Sequence, residues 1–230
     1  MIVGQGLLAR AFAPRYIDDP GVTIFASGVS NSSETAPEAF ERERALLVPL
    51  LDGRTRVAYF GSCASAMGDA SAATAYMRHK RAMADLVAGS PDGVVLRLPQ
   101  VVGFTPNPNT LTNFLRDRIL SGAPFSVWAN AKRNLIDVED VASIGTRLID
   151  TASSDHRVFS VASADTLSMP DLVAIFERVL GRKASCTVEP VGSPLRIDAT
   201  EAISVAAQLG IDMGPGYAEN VIRKYYAPPT

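Results

Sequence analysis

The chain has 230 residues, 47% hydrophobic and 20% charged, with a net charge of −2 at pH 7. This is the make-up of an ordinary globular protein that can bury one core, or a core with a small lobe. It offers no basic footprint for nucleic acid or an anionic membrane and no run long enough to span one, and its two cysteines and two histidines make neither a disulfide framework nor a metal site.

Residues 1–3 read as a stub of strand running into Gly4-Gln5-Gly6-Leu7-Leu8-Ala9, with helix from Arg10. No basic stretch precedes them, so a signal peptide is not expected, and a reducing, cytoplasmic setting fits the two cysteines. The run has the G-x-G-x-x-A form of a dinucleotide turn, in which glycines let the backbone approach a pyrophosphate at a helix N-terminus. Gly4, Gly6, Leu7 and Leu8 are the candidate contacts. Residues 22–25 are a strand ending in Ala26-Ser27-Gly28, with no acidic residue at its end to hold an adenosine ribose.

Residues 36–51 read as a helix with Phe40, Leu46, Leu47 and Leu50 apolar, and residues 56–60 as a buried strand ending in Gly61-Ser62-Cys63. A helix is expected over 69–88, a turn over 90–93, and a strand from Val94 to Leu98 that ends in Pro99-Gln100-Val101-Val102-Gly103. In the run from Thr105 to Leu115, Asn and Thr suit helix capping. Residues 124–128 are a short strand. Arg133 follows, then Ile136-Asp137-Val138-Glu139-Asp140, with Asp140 expected to cap a helix over 141–150. The rest reads as a strand near 158–161, a helix over 169–180, a short strand over 185–190, and helices over 199–209 and 217–226.

The chemistry concentrates between Tyr59 and Lys80. Tyr76 and Lys80 lie four residues apart and so project from one helix face. An ammonium beside a phenol favours the phenolate, which makes Tyr76 a usable acid or base. Ser62, fourteen residues before Tyr76, ends the preceding strand and supplies a hydroxyl for a substrate oxygen. Cys63 as a nucleophile lacks an evident activating histidine, and His79 lies about a hundred degrees around the helix from Lys80.

This combination resembles the short-chain dehydrogenase/reductase superfamily, most closely its extended branch of nucleotide-sugar epimerases, dehydratases and reductases. The resemblance covers nearly the whole chain. It implies an α/β fold with a Rossmann-like parallel sheet flanked by helices and a small C-terminal substrate lobe. Residues 1–103 would form mainly the nucleotide-binding part and 104–230 mainly the substrate part, in one unit with a returning strand near 158–161. Residues 22–32 match the family's fourth strand and its small-residue end, so the second and third strands are expected to be absent and the first strand to lie near an edge.

The resemblance further implies catalysis by Ser62, Tyr76 and Lys80 with NAD or NADP, the choice between them unread. Cofactor contacts would come from the glycine turn, Ala26, Ser27, Gly28, Tyr76, Lys80, Pro99 and Val101. A nucleotide-sugar would be held by Ser62, Gln100, Asn107, Asn109 and Arg133, the arginine clamping its diphosphate. Counting back from Gly68 in the family pattern puts Cys63, not Ser62, at the hydroxyl position, with Ser65 as a further candidate. Asn134 stands where the family usually has Asp. A homodimer through helices 36–51 and 69–88 is implied. Epimerase and reductase share these parts, while the paired Asp-Glu of dehydratases is missing. The absent adenosine wall leaves a second reading, a non-catalytic nucleotide- or nucleotide-sugar-binding regulator on the same fold.

Overall fold

The computed structural model describes residues 1–66 and 73–228. Its first half runs β1 (Ile2–Val3), α1 (Leu7–Tyr16), β2 (Val22–Phe25), α2 (Pro37–Leu47), β3 (Arg56–Ser62), α3 (Ala75–Ala88) and β4 (Gly93–Leu98). There follow β5 (Gln100–Val102), α4 (Leu111–Ser121), β6 (Phe125–Trp128), β7 (Lys132–Asp137), α5 (Val138–Thr151) and β8 (Val158–Ser160). The chain ends with β9 (Thr166–Ser168), α6 (Met169–Leu180), β10 (Cys186–Glu189), α7 (Thr200–Gln208) and α8 (Tyr217–Tyr226).

The main sheet is parallel throughout, in the order β1-β2-β3-β4-β8. Its central strands carry buried apolar runs, Val57 to Phe60 in β3 and Val94 to Leu96 in β4, because both of their faces are covered. On β3, Ala58 and Phe60 join the core beneath α1 and α5, where Phe60 meets Phe12 at 5.1 Å between ring centres. The alternate residues Val57 and Tyr59 pack with Leu47 of α2 and Met83 and Val87 of α3. β2 lies between β1 and β3, with Ile24 paired to both Ile2 and Ala58. β1 is therefore the edge strand, as expected of a sheet with a reduced strand number.

The remaining strands form two small sheets. β7 pairs with β5 in parallel and with β9 antiparallel, and β6 pairs with β10 in parallel. One hydrophobic core runs from Phe12 through Leu135 and Phe176 to Tyr226, so sheet and lobe share it.

Several boundaries differ from the sequence reading. The run from Val94 to Gly103 is broken at Pro99, which has no N–H for the ladder, and its two halves join different sheets. The expected helix over 69–88 begins at Ala75, where the Thr74 hydroxyl accepts from the Met77 N–H at 3.2 Å; Asp69 to Ala72 lie outside the described residues. Pro49 reduces the end of the 36–51 helix to a 3-10 turn over Val48–Leu50. Asp140 is not the cap of α5. That place belongs to Asp137, whose Oδ1 accepts from the Glu139 N–H at 2.9 Å, while Asp140 accepts from the Tyr217 hydroxyl at 2.5 Å.

Candidate active site

In an open parallel sheet, ligands gather beyond the carboxyl ends of the strands, and here the glycine turn, the Ala26–Gly28 loop and Ser62 follow or end β1, β2 and β3. The turn after β1 contains two glycines with different reasons for being glycine. Gly4 has φ +122°, and a Cβ there would lie 2.5 Å from the Ala26 carbonyl oxygen, so the turn packs against the end of β2. Gly6 has ordinary φ, caps α1 without a side-chain bond, and a Cβ on it would meet nothing within 4 Å. Open space therefore lies over the N-terminus of α1, whose first turn has no acidic residue to occupy its free N–H groups. This cradle fits the pyrophosphate of a nicotinamide dinucleotide. Leu7 and Leu8 form that first turn, and Leu7 packs beside Gly103.

Ser62 is the last residue of β3, and Tyr76 stands on the first turn of α3, near enough for its phenol's ionisation to respond to the Ser62 side chain. Burial pushes the Tyr76 pKa up, the nearby Ser62 side chain offsets part of that, and the negative charge of Glu43 adds to the rise. The phenol is accordingly held protonated. This corrects the expectation that Lys80 would favour the phenolate. The Lys80 ammonium points instead into the core, where it is 3.1 Å from both Glu43 Oε1 and the Tyr59 hydroxyl. A Cβ at Gly28 would lie 2.6 Å from Lys80 Nζ, so the ammonium sits directly beneath the loop that follows β2. Ser27 in that loop is held by Arg42, which donates to its hydroxyl at 3.4 Å and its carbonyl at 3.3 Å.

Glu43 was not singled out in the sequence, and it organises this region. Its carboxylate is fully buried and accepts from the Val29 N–H at 2.6 Å, the Tyr59 hydroxyl at 2.7 Å and Lys80. His79 Nε2 lies 3.0 Å away, out of line for a hydrogen bond, with its ring stacked on Phe40 at 4.6 Å. Burial opposes ionisation of Glu43, but the Lys80 charge and the converging donors outweigh it and hold the carboxyl below its ordinary value. The available signal was that Glu43 falls between Phe40 and Leu47 on the apolar stripe of α2.

The alternatives to Ser62 have other work. The Cys63 thiol is buried against the Arg97 carbonyl at 3.3 Å, and burial pushes it up to about 12. The Ser65 hydroxyl is buried and donates to the Ser62 carbonyl at 2.7 Å.

The expected substrate residues lie along the next elements. Pro99 separates β4 from β5, which contains Gln100 and Val101, and Gln100 is paired with Leu135. Arg133 stands two residues earlier on β7, opposite Leu167, with burial lowering its pKa and Nη1 donating to the Lys132 carbonyl. Asn107 folds its side chain onto the Asn109 N–H at 3.0 Å, a local turn. That loop is held from below by the buried Asn113, which donates to the carbonyls of Thr105 and Asn107 at 2.9 and 2.8 Å. Among the described residues no group of His, Cys, Asp and Glu could hold a metal, and no helix is long and apolar enough to cross a membrane.

The fold recurs among solved structures. UDP-N-acetylglucosamine 4-epimerase from Bacillus cereus superposes with a TM-score of 0.68 at 14% identity, over 97% of this chain and 93% of that one. A UDP-glucose 4-epimerase from Thermus thermophilus, in complex with NAD, gives 0.66 at 16% identity, over 95% and 81%. RMD from Pseudomonas aeruginosa complexed with NADPH gives 0.65 at 15%, over 96% and 86%. No curated protein matches the chain by sequence. A family model matches residues 21–162, a stretch that includes Ser62, Tyr76, Lys80 and Arg133 and leaves out the glycine turn. On that match the chain belongs to the NAD dependent epimerase/dehydratase family.

Proposed function

We propose that the protein is a NAD(P)-dependent epimerase or reductase of a nucleotide-linked sugar, acting through Ser62, Tyr76 and Lys80. The observation that supports this reading is the placement of Ser62 at the end of β3 with Tyr76 on the first turn of α3, where the phenol's ionisation responds to the Ser62 side chain, and of the Lys80 ammonium under the adjoining Gly28 loop. Gly6 and the first turn of α1 would hold the cofactor pyrophosphate, and Gly28, Pro99 and Val101 would border the nicotinamide half. The cofactor, when bound, supplies the exchange of hydride with a carbon of the sugar. Ser62 positions the sugar oxygen on that carbon. Tyr76, protonated at neutral pH, gives its proton to that oxygen as a carbonyl is reduced to an alcohol, and takes one back in the reverse direction. Arg133 binds the diphosphate by charge-assisted hydrogen bonds.

A second reading, a nucleotide-sugar-binding regulator, is favoured by the pairing of Lys80 with Glu43 and by the lack of any strand outside β1, among the described residues, to wall an adenosine. Two variants separate the readings. Tyr76→Phe removes the proton and keeps the ring, so turnover of UDP-glucose or UDP-N-acetylglucosamine with NAD or NADP should fall by about two to four orders of magnitude. Its affinity for the nucleotide-sugar should stay near wild type. Arg133→Ala should instead weaken nucleotide-sugar binding by about 1.5–3 kcal/mol. A Tyr76→Phe protein indistinguishable from wild type in every assay, beside an Arg133→Ala protein that binds poorly, would select the regulator. Equal loss of binding in both would end the site assignment.

A further inference from the structure

We infer that Glu43 is the positioning residue of this site's cofactor side, holding the Lys80 ammonium and the loop after β2 in fixed relation to each other. The inference rests on the reading of Tyr76 and Lys80 given above. One carboxylate without exposed surface gathers groups from three elements: the Val29 N–H at the end of the β2 loop, the Tyr59 hydroxyl on β3, and Lys80 with His79 on α3. Each of these elements leads directly to a proposed site residue. The loop contains Gly28, β3 ends in Ser62, and α3 presents Tyr76 one turn before Lys80.

An ammonium has three donors. Two are directed at Glu43 and Tyr59, which leaves one uncommitted among the described residues. The loop above is itself wedged from the other side, since Gly4 packs against the Ala26 carbonyl. A continuous set of contacts thus runs from the glycine turn through Ala26 and Gly28 to Lys80 and Glu43. A buried ion pair is costly to desolvate, and a hydrophobic pair of equal volume often gives the same or greater stability. The charge on Glu43 is therefore accounted for by where it places Lys80 rather than by stability. Glu43 touches neither hydroxyl of the Ser62–Tyr76 pair among the described contacts, so its role is exercised through Lys80.

The test measures dissociation constants for NADH and NADPH by fluorescence titration of the intact chain, with thermal unfolding recorded on each variant. Glu43→Gln keeps the volume, with its oxygen able to accept from the Val29 N–H and its NH2 to donate to the Tyr59 hydroxyl oxygen, but it loses the charge and the acceptor that pin Lys80. It should weaken binding of the preferred cofactor about tenfold, the worth of one hydrogen bond to a charged group. Lys80→Met should weaken it as much, and Glu43→Gln combined with Lys80→Met should be no weaker than Lys80→Met alone, because the first acts through the second. A folded Glu43→Gln protein within about twofold of wild type, beside a weakened Lys80→Met, overturns the positioning role and leaves the site assignment standing. Additive losses in the double variant overturn it as well. A wild-type chain that binds neither NADH nor NADPH overturns the functional reading and the positioning role together. If Glu43→Gln does not fold, Tyr59→Phe removes the other anchor of Lys80 and should weaken binding in the same direction; unchanged affinity there overturns the inference.

Discussion

At the scale of single residues, the ionisation of Glu43 has a measurable consequence. Its carboxyl is held below the ordinary value, so the folded state favours the charged form more than the unfolded chain does. The stability this contributes is complete above about pH 4.3, the free glutamate value, and is lost as pH falls through the folded value. Lys80 works in the opposite sense, since burial lowers its pKa and so favours the neutral amine in the folded state. Glu43→Gln should therefore flatten the acid limb of a urea-midpoint profile while leaving its shape near neutrality; an unchanged acid limb would place the sensitive group elsewhere. The cysteines give a second prediction. Cys63 is buried with its thiol raised to about 12, and Cys186 is exposed. Iodoacetamide at about pH 8 should give one adduct per chain, on Cys186, by mass spectrometry. A rapid second adduct would mean that the Cys63 turn opens. Ser62, Tyr76 and Lys80 could be read in the sequence because strand end and helix face are local patterns. Glu43 could not be assigned, because its partners lie 14, 16 and 37 residues away and meet it only when α2 and α3 pack on the sheet.

At the scale of elements, periodicity located α6 and α8 to the residue, since each has a clean apolar stripe and a defined stop. It failed where a side chain far along the chain decides the outcome. The start of α5 is an example: Asp137 caps it while also accepting from Lys224 at 2.8 Å and Tyr225 at 2.7 Å on α8. The three-residue β9 was missed because it is too short to show a period, and it exists by pairing with β7. Asn134, in the middle of β7, shows what a departure from the family pattern can do. Its amide donates to the carbonyls of Ser163 and Asp165 at 2.8 and 2.9 Å, and its oxygen accepts from the Ser163 N–H at 3.2 Å. A carboxylate could reproduce only the last of these. Asn134→Asp should cost about 3 kcal/mol through the two orphaned carbonyls and the buried charge, seen as a lower denaturation midpoint. A loss below about 1 kcal/mol would show that the 163–165 loop repacks around the change.

At the scale of the whole molecule, the parallel sheet and its shortened order were legible because strand 22–25 ends in small residues and the chain has no room for two more strands before it. The two small sheets of the lobe were only partly legible, since their strands are three to six residues long and derive their pairing from partners distant in sequence. Assembly is the remaining expectation at this scale. α2 turns Glu43 and Leu47 inward and leaves Leu46 at 42% exposure, with Val48 of the following turn at 43%. Sedimentation at micromolar concentration should give a homodimer through α2 and α3, weakened by Leu46→Glu; a monomer would remove that interface.

The position of β1 also bears on how the protein behaves when concentrated. A strand with an open side is a template on which other chains can add, and it is a common origin of fibres and precipitates. Here the bare strand is two residues long and is ended by Gly4, whose φ of +122° turns the backbone out of the strand direction. An incoming strand would find too few groups in line to repay the cost of ordering itself. On that side of the sheet, among the described residues, only these two residues of strand stand open to pairing.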